Sequence, residues 1–157
     1  MMKLVINHFN DLTTKELYDI LKLRVSVFVV EQNCPYQELD DKDLDAYHLY
    51  LKDDDKIVAY LRVFHCKEYK NSYLEHSAVL SNVASIGRVV STERRQGYAT
   101  QLLNAAIALV KDKLAVECIV IEAQVYASAL YEKIGFVQAS DEFLEDGIPH
   151  IQMTFNC

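Results

Sequence analysis

The stretch of this sequence with the clearest chemical meaning runs from Ile86 to Thr100. An apolar strand pattern, ASIGRVVS (84–91), passes into the basic loop Thr92-Glu93-Arg94-Arg95-Gln96-Gly97, and a helical pattern opens at Tyr98. The first turn of a helix carries N–H groups outside the hydrogen-bond ladder and the positive end of the macrodipole, which suits it to phosphate. Gly97 removes the Cβ that would keep an anion off the backbone. Ala99 keeps the next turn small, and Arg94 and Arg95 add charge where the dipole points. An ordinary helix start with solvated arginines is the competing reading. Arg24 is the second residue of note. It lies in the apolar stripe Leu17, Ile20, Leu21, Phe28, so its guanidinium needs a buried partner. That partner is either an ion pair with the acidic segment that follows or the acceptor of a reaction.

Length and charge bound what such residues can belong to. The 157 residues are one domain's worth of chain, expected as a single domain over 1–157. Net charge is −7, which argues against a nucleic-acid partner, since that needs a basic surface. The acidity is local: nine acids and two bases fall between Glu31 and Asp55, and the rest of the chain is balanced. Four glycines form neither G-x-G-x-x-G nor a P-loop. The sequence has no apolar run of membrane-spanning length and no signal-peptide layout, so a cytoplasmic protein with no membrane partner is expected. Its four cysteines are then expected as free thiols. His and Cys spacings match no metal motif, so no metal is expected.

The elements that must hold these residues read as follows. Residues 3–9 form a strand, and Thr13 with Glu16 fits a capping box that opens a helix. Residues 31–46 are an acidic loop. Strands are expected at 47–51 and 57–66, joined by a turn over Lys52–Lys56, then at 84–91, 118–123, 136–139 and 150–155. Helices are expected from Tyr98 to Leu114 and from Ala127 to Ile134, the latter ended by Gly135. Residues 67–82 are ambiguous. The order β-α-β-β-β-α-β-α-β-β implies an α/β fold with a mixed sheet, parallel in the strand–helix–strand region 84–139, antiparallel at the hairpin, with helices on both faces.

Two motifs carry a resemblance. Arg94-Arg95-Gln96-Gly97-Tyr98-Ala99 matches the Q/R-x-x-G-x-G/A signature of the GCN5-related N-acetyltransferases (the GNAT superfamily), between the strand and helix where that family has it. Ala127-Ser128-Ala129-Leu130-Tyr131-Glu132-Lys133-Ile134-Gly135-Phe136 resembles the family's A-x-x-L/F-Y-x-x-x-G-F segment. Arg24–Gln32, Cys34–Asp40, Ala123-Gln124 and Phe143–Met153 are similar to the ElaA-like branch, so the resemblance spans about 3–155. It implies the GNAT mixed, mostly antiparallel twisted sheet and acetyl-CoA as cosubstrate.

The resemblance also implies roles. Arg94, Arg95, Gln96, Gly97, Tyr98, Ala99 and Thr100 would hold the pyrophosphate. The strand at Gly87, Arg88 and Val89 would lie along the pantetheine arm, with a backbone N–H aimed at the thioester oxygen. Gln124 stands where many members have Asn, and with Ala127 it would adjoin the coenzyme. Tyr131 takes the place of the general acid, a phenol of pKa about 10 that stays neutral at pH 7. The base is open among Glu31, Glu38, Glu122, His48 and His150, or a water chain. Arg24, Glu31, Glu38 and His150 are the candidates for contact with an amine acceptor. The function implied is direct N-acetyl transfer to an unidentified small-molecule or peptide amine. The alternatives are a non-catalytic acetyl-CoA-binding module and an acyltransferase for longer chains. The acidic segment 31–55 either flanks a cationic acceptor or is a solvated loop. Homodimers are common in the superfamily, and a homodimer is an allowed assembly here.

Overall fold

The computed structural model describes residues 1–74, 78–94 and 96–157. Its chain divides into two units, Met1–Phe64 with Arg88–Ala106, and His65–Gly87 with Ile107–Cys157. The first holds β1 (Met2–His8), α1 (Thr14–Val25), β2 (Tyr47–Asp53), most of β3 (Lys56–Tyr69), the end of β4 (Leu80–Ser91) and the first half of α2 (Tyr98–Lys113). Its strands run in the order β1-β2-β3-β4. Both β1–β2 and β2–β3 are antiparallel, as the hairpin pattern implies. The turn is tighter than expected: Asp54, at φ 52°, and Asp55 suffice to reverse the chain.

Thr13 caps α1, its Oγ1 accepting from the Glu16 amide at 3.1 Å. The Glu16 carboxylate accepts instead from the Tyr50 hydroxyl at 2.5 Å. Ile20 and Leu23 of α1 pack with Tyr50, Ile57, Tyr60 and Val90, so the apolar stripe becomes this unit's core. Past Val25 the helix widens into a π-helical turn over Ser26–Glu31. There Ser26 Oγ donates to the Lys22 carbonyl at 2.7 Å, a back-bond that loosens a helix. The loop beyond it contains a 3-10 turn over Lys42–Asp45.

The second unit holds the start of β4, the end of α2, β5 (Cys118–Gln124), α3 (Ser128–Ile134), β6 (Val137–Gln138), β7 (Phe143–Glu145) and β8 (Ile148–Asn156). Its order is β4-β5-β8-β6, with β7 also on β8. The crossover through α2 makes β4 and β5 parallel, Ala84 opposite Ile119. Parallel pairing goes no further through 84–139: after α3 the chain pairs β6 antiparallel to β8, not beside β5. β7 is an added strand, too short to stand out as a pattern. α3 ends where Gly135, at φ 120°, donates to the Tyr131 and Glu132 carbonyls. A Cβ on Gly135 would meet Phe155 Cε2 at 3.1 Å. Among the described residues, three α-helices and eight mostly antiparallel strands give the mixed α/β class. No helix among the described residues is long and apolar enough to cross a membrane.

Candidate active site

The basic loop has the form an anion needs. Gly97 adopts φ 75°, a left-handed conformation that favours glycine, and a Cβ there would project into open space. Its carbonyl accepts from Gln101 N at 3.1 Å, so Gly97 is the N-cap of α2. Serine or aspartate in that position turns an oxygen onto the first amides. Glycine has none, so Gly97 leaves the amides of Tyr98, Ala99 and Thr100 without a side-chain cap, and the first turn has no acidic residue. Gln96 is exposed. Arg94 pairs with Glu31 at 2.5 Å, bringing two predicted residues together in an exposed bridge. Such a bridge is weak enough to yield to a stronger anion. Arg95 lies outside the described residues. The corner thus combines uncapped helix amides with a nearby guanidinium, the donors an anion needs. A cavity of about 730 Å³ adjoins the start of this loop, lined by Thr92 and by residues such as Lys22, Asp54 and Lys56, and among the described residues Glu31 is the one predicted residue on it.

Arg24, Glu38 and Arg88 also come together. Arg24 is completely buried. Its Nε and Nη2 donate to the two Glu38 oxygens at 2.6 and 2.8 Å, and its Nη1 donates to Asp43 Oδ1 at 2.7 Å. Arg62 forks onto Asp40 at 2.7 and 2.6 Å and reaches Asp43 at 2.9 Å. Arg88 donates through Nη2 to the Glu38 carbonyl at 2.9 Å, with its Nε 3.3 Å from Glu38 Oε1. Three arginines thus meet three carboxylates. Burial opposes the Arg24 charge, but Glu38 and Asp43 outweigh it and raise its pKa. Burial likewise opposes the Asp40 charge, and Arg62 nevertheless holds that carboxyl down at about 2. His48 Nε2 donates to the Asp43 carbonyl at 3.0 Å and its Nδ1 accepts from Tyr60 at 2.7 Å. Burial lowers its pKa and keeps it neutral.

This geometry answers the question posed by Arg24: its partner is the acidic segment. Glu38, Asp40 and Asp43 are neutralised from within, so they do not project as an acidic wall. The side chain of Arg88 likewise turns to Glu38 and the Tyr36 ring, 5.6 Å away, leaving its backbone as the part open to a ligand. That backbone has φ 53°, which kinks β4 just before Val89. Sequence alone does not single out Arg62 or Asp43. Arg62 sits in a strand pattern otherwise read as core, and only its burial reveals the role.

In the second unit, Tyr131 is buried on α3, edge-on to Phe136 at 6.0 Å. Burial, then Tyr126, raise its pKa, so the phenol stays protonated through neutral pH. Ala127 precedes α3, and Gly87 is half-buried in β4. Gln124 stands directly opposite His150 across β5 and β8. His150 is buried, donates through Nδ1 to the Ile148 carbonyl at 2.7 Å, and holds Nε2 3.4 Å from Glu145. Glu122, one of the candidate bases, accepts from the Tyr69 hydroxyl. Burial, then Glu122, raise the Tyr69 pKa.

A family model described as an acetyltransferase (GNAT) domain matches residues 14–157. The chain belongs to the GNAT acetyltransferase family. Within it, protein ElaA of Escherichia coli is 35% identical over 93% of this chain and 91% of its own. UPF0039 protein C11D3.02c of Schizosaccharomyces pombe is 40% identical over 97% and 95%. Among solved structures, an acyl-CoA N-acyltransferase from Pseudomonas aeruginosa is 39% identical with a TM-score of 0.79, covering 97% of this chain and 98% of that one. The ElaA-like branch of the GNAT family is therefore where this chain sits, with an acyltransferase fold.

Proposed function

We propose that this GNAT-family chain is an N-acetyltransferase that uses acetyl-CoA and passes the acetyl group directly to an amine. The observation that carries the reading is the bare N-cap at Gly97, which leaves the first amides of α2 to an anion. Those amides, with Arg94, Arg95 and Gln96, would bind the pyrophosphate. The backbone of Gly87, Arg88 and Val89 would lie along the pantetheine arm. Gln124 and Ala127 would adjoin it. Acetyl-CoA supplies an acyl carbon already activated as a thioester. Tyr131 holds a proton at its hydroxyl for the departing sulfur. The nitrogen's own proton passes to water or to a nearby base.

Gly97→Glu tests the phosphate corner. At a hundred times Kd, acetyl-CoA should stabilise the wild type by about 2.7 kcal/mol, seen as a higher melting temperature. The variant should show no such rise at the same concentration, because its carboxylate fills the space meant for phosphate. Its own melting temperature without ligand separates this loss from the strain of a side chain at φ 75°. An unchanged ligand-induced rise would place the coenzyme elsewhere.

A further inference from the structure

One sheet face in the second unit is polar and yet buried. Alternate residues on a strand share a face, and so do residues directly opposite on antiparallel partners. The register puts Glu122 opposite Gln152, Gln124 opposite His150, and Phe143 opposite His150. These side chains therefore lie on one face of β5, β8 and β7. The other face carries Ile119, Ile121, Ala123, Ile151 and Met153, the ordinary apolar core.

Three features set the polar face apart from a solvated surface. Gln152 is only 8% exposed, and its side-chain amide has no hydrogen-bond partner among the described residues. Its amide is therefore not committed to a neighbour and can meet a ligand at this face. Glu122 has no basic partner among the described residues. Tyr69 donates to Glu122 Oε1, which fixes the carboxylate and leaves Oε2 to act. Tyr73, Phe143 and His150 form an aromatic stack, with ring centroids 6.1 and 6.0 Å apart. The Tyr73 pKa is raised by burial and then by Glu145, Asp146 and Glu122, so carboxylates dominate the field at that ring.

We propose that this face receives the acceptor as a cation, with an ammonium group docked between Glu122 and the Gln152 side-chain oxygen and its carbon body against the Tyr73–Phe143 stack. The acceptor class is a primary aliphatic amine that is not anionic. Glu122 and Gln152 are its specificity residues, and Tyr69 is a positioning residue that acts through Glu122. The proposal rests on the reading of the chain as an amine acyltransferase. It moves acceptor recognition from segment 31–55, where arginines neutralise the inward carboxylates, to β5 and β8.

The test is thiol release from acetyl-CoA with 1,4-diaminobutane, lysine amide, phenethylamine and glutamate, and calorimetric binding of the three cationic amines without turnover. The cationic amines should be accepted and glutamate refused. Glu122→Gln keeps the shape and the Tyr69 contact. It should raise KM for the best amine, and weaken its calorimetric Kd, by about tenfold or more, while KM for acetyl-CoA and the melting temperature stay put. Glu122→Asp should recover part of the loss, and Tyr69→Phe should give a smaller one. Glutamate as the best acceptor, or an amine KM and Kd indifferent to Glu122→Gln, would overturn the proposal while leaving the acyltransferase reading intact. Amine binding that depends on Glu122 but yields no thiol with any amine would instead sink the acyltransferase reading.

Discussion

Arg24→Ala should destabilise the protein by about 3–5 kcal/mol, because it takes from two buried carboxylates the guanidinium they share and leaves Asp43 only Arg62 and Glu38 only the longer contact to Arg88. Glu38 and Asp43 each take bonds from this one guanidinium at 2.6–3.1 Å, in a site closed to water. For a chain of this size each kcal/mol moves the melting temperature by about 2–4 °C, so a fall of roughly 10 °C is expected. Arg94→Ala is the control. Its bridge to Glu31 is exposed on both sides, and exposed pairs contribute about 0–1 kcal/mol. Urea unfolding of both variants checks the pair of expectations. Equal losses would mean that the buried network is not what holds the 36–46 loop in place.

Tyr131→Phe should lower kcat by about a hundredfold or more, the range for removing a positioned general acid, with KM for acetyl-CoA little changed. The substitution keeps the ring that packs on Phe136 and removes only the hydroxyl. Folding should therefore survive, and circular dichroism with a melting curve checks that it does. Burial raises the pKa of this phenol. A folded-state pKa above the ordinary value means the proton is present through neutral pH and lost only as pH climbs past it. No alkaline loss of wild-type kcat from this group is expected below about pH 10. A kcat equal to wild type would remove Tyr131 from the chemistry.

Both motifs were legible in the sequence because each is local. The helix start at Tyr98 and the helix stop at Gly135 are set by glycines whose neighbours in sequence are their neighbours in space. The burial of Arg24 was legible too, from its place in an apolar stripe. Its choice of Glu38 and Asp43 was not, since a polar loop has no period to read. The net charge misled for the same reason. Nine acids are adjacent in sequence, but Arg24, Arg62 and Arg88 reach the segment from α1, β3 and β4. β3 and β4 run three and four residues past their expected ends, at Tyr69 and Leu80, because polar residues continue the ladder. The polar face of β5 and β8 depends on a register between segments some thirty residues apart. Alternation within Cys118–Gln124 could not show which face is covered.

Acetyl-CoA turnover is the most direct test of the central claim. Purified protein, acetyl-CoA and the amine panel are mixed, and free thiol is followed over time. The account predicts thiol release that requires an amine, matches acetylated amine mole for mole, and falls away in Tyr131→Phe. Acetyl-CoA binding in a thermal melt, with no amine-dependent thiol release across the panel, would contradict it and leave a coenzyme-binding protein that is not a transferase.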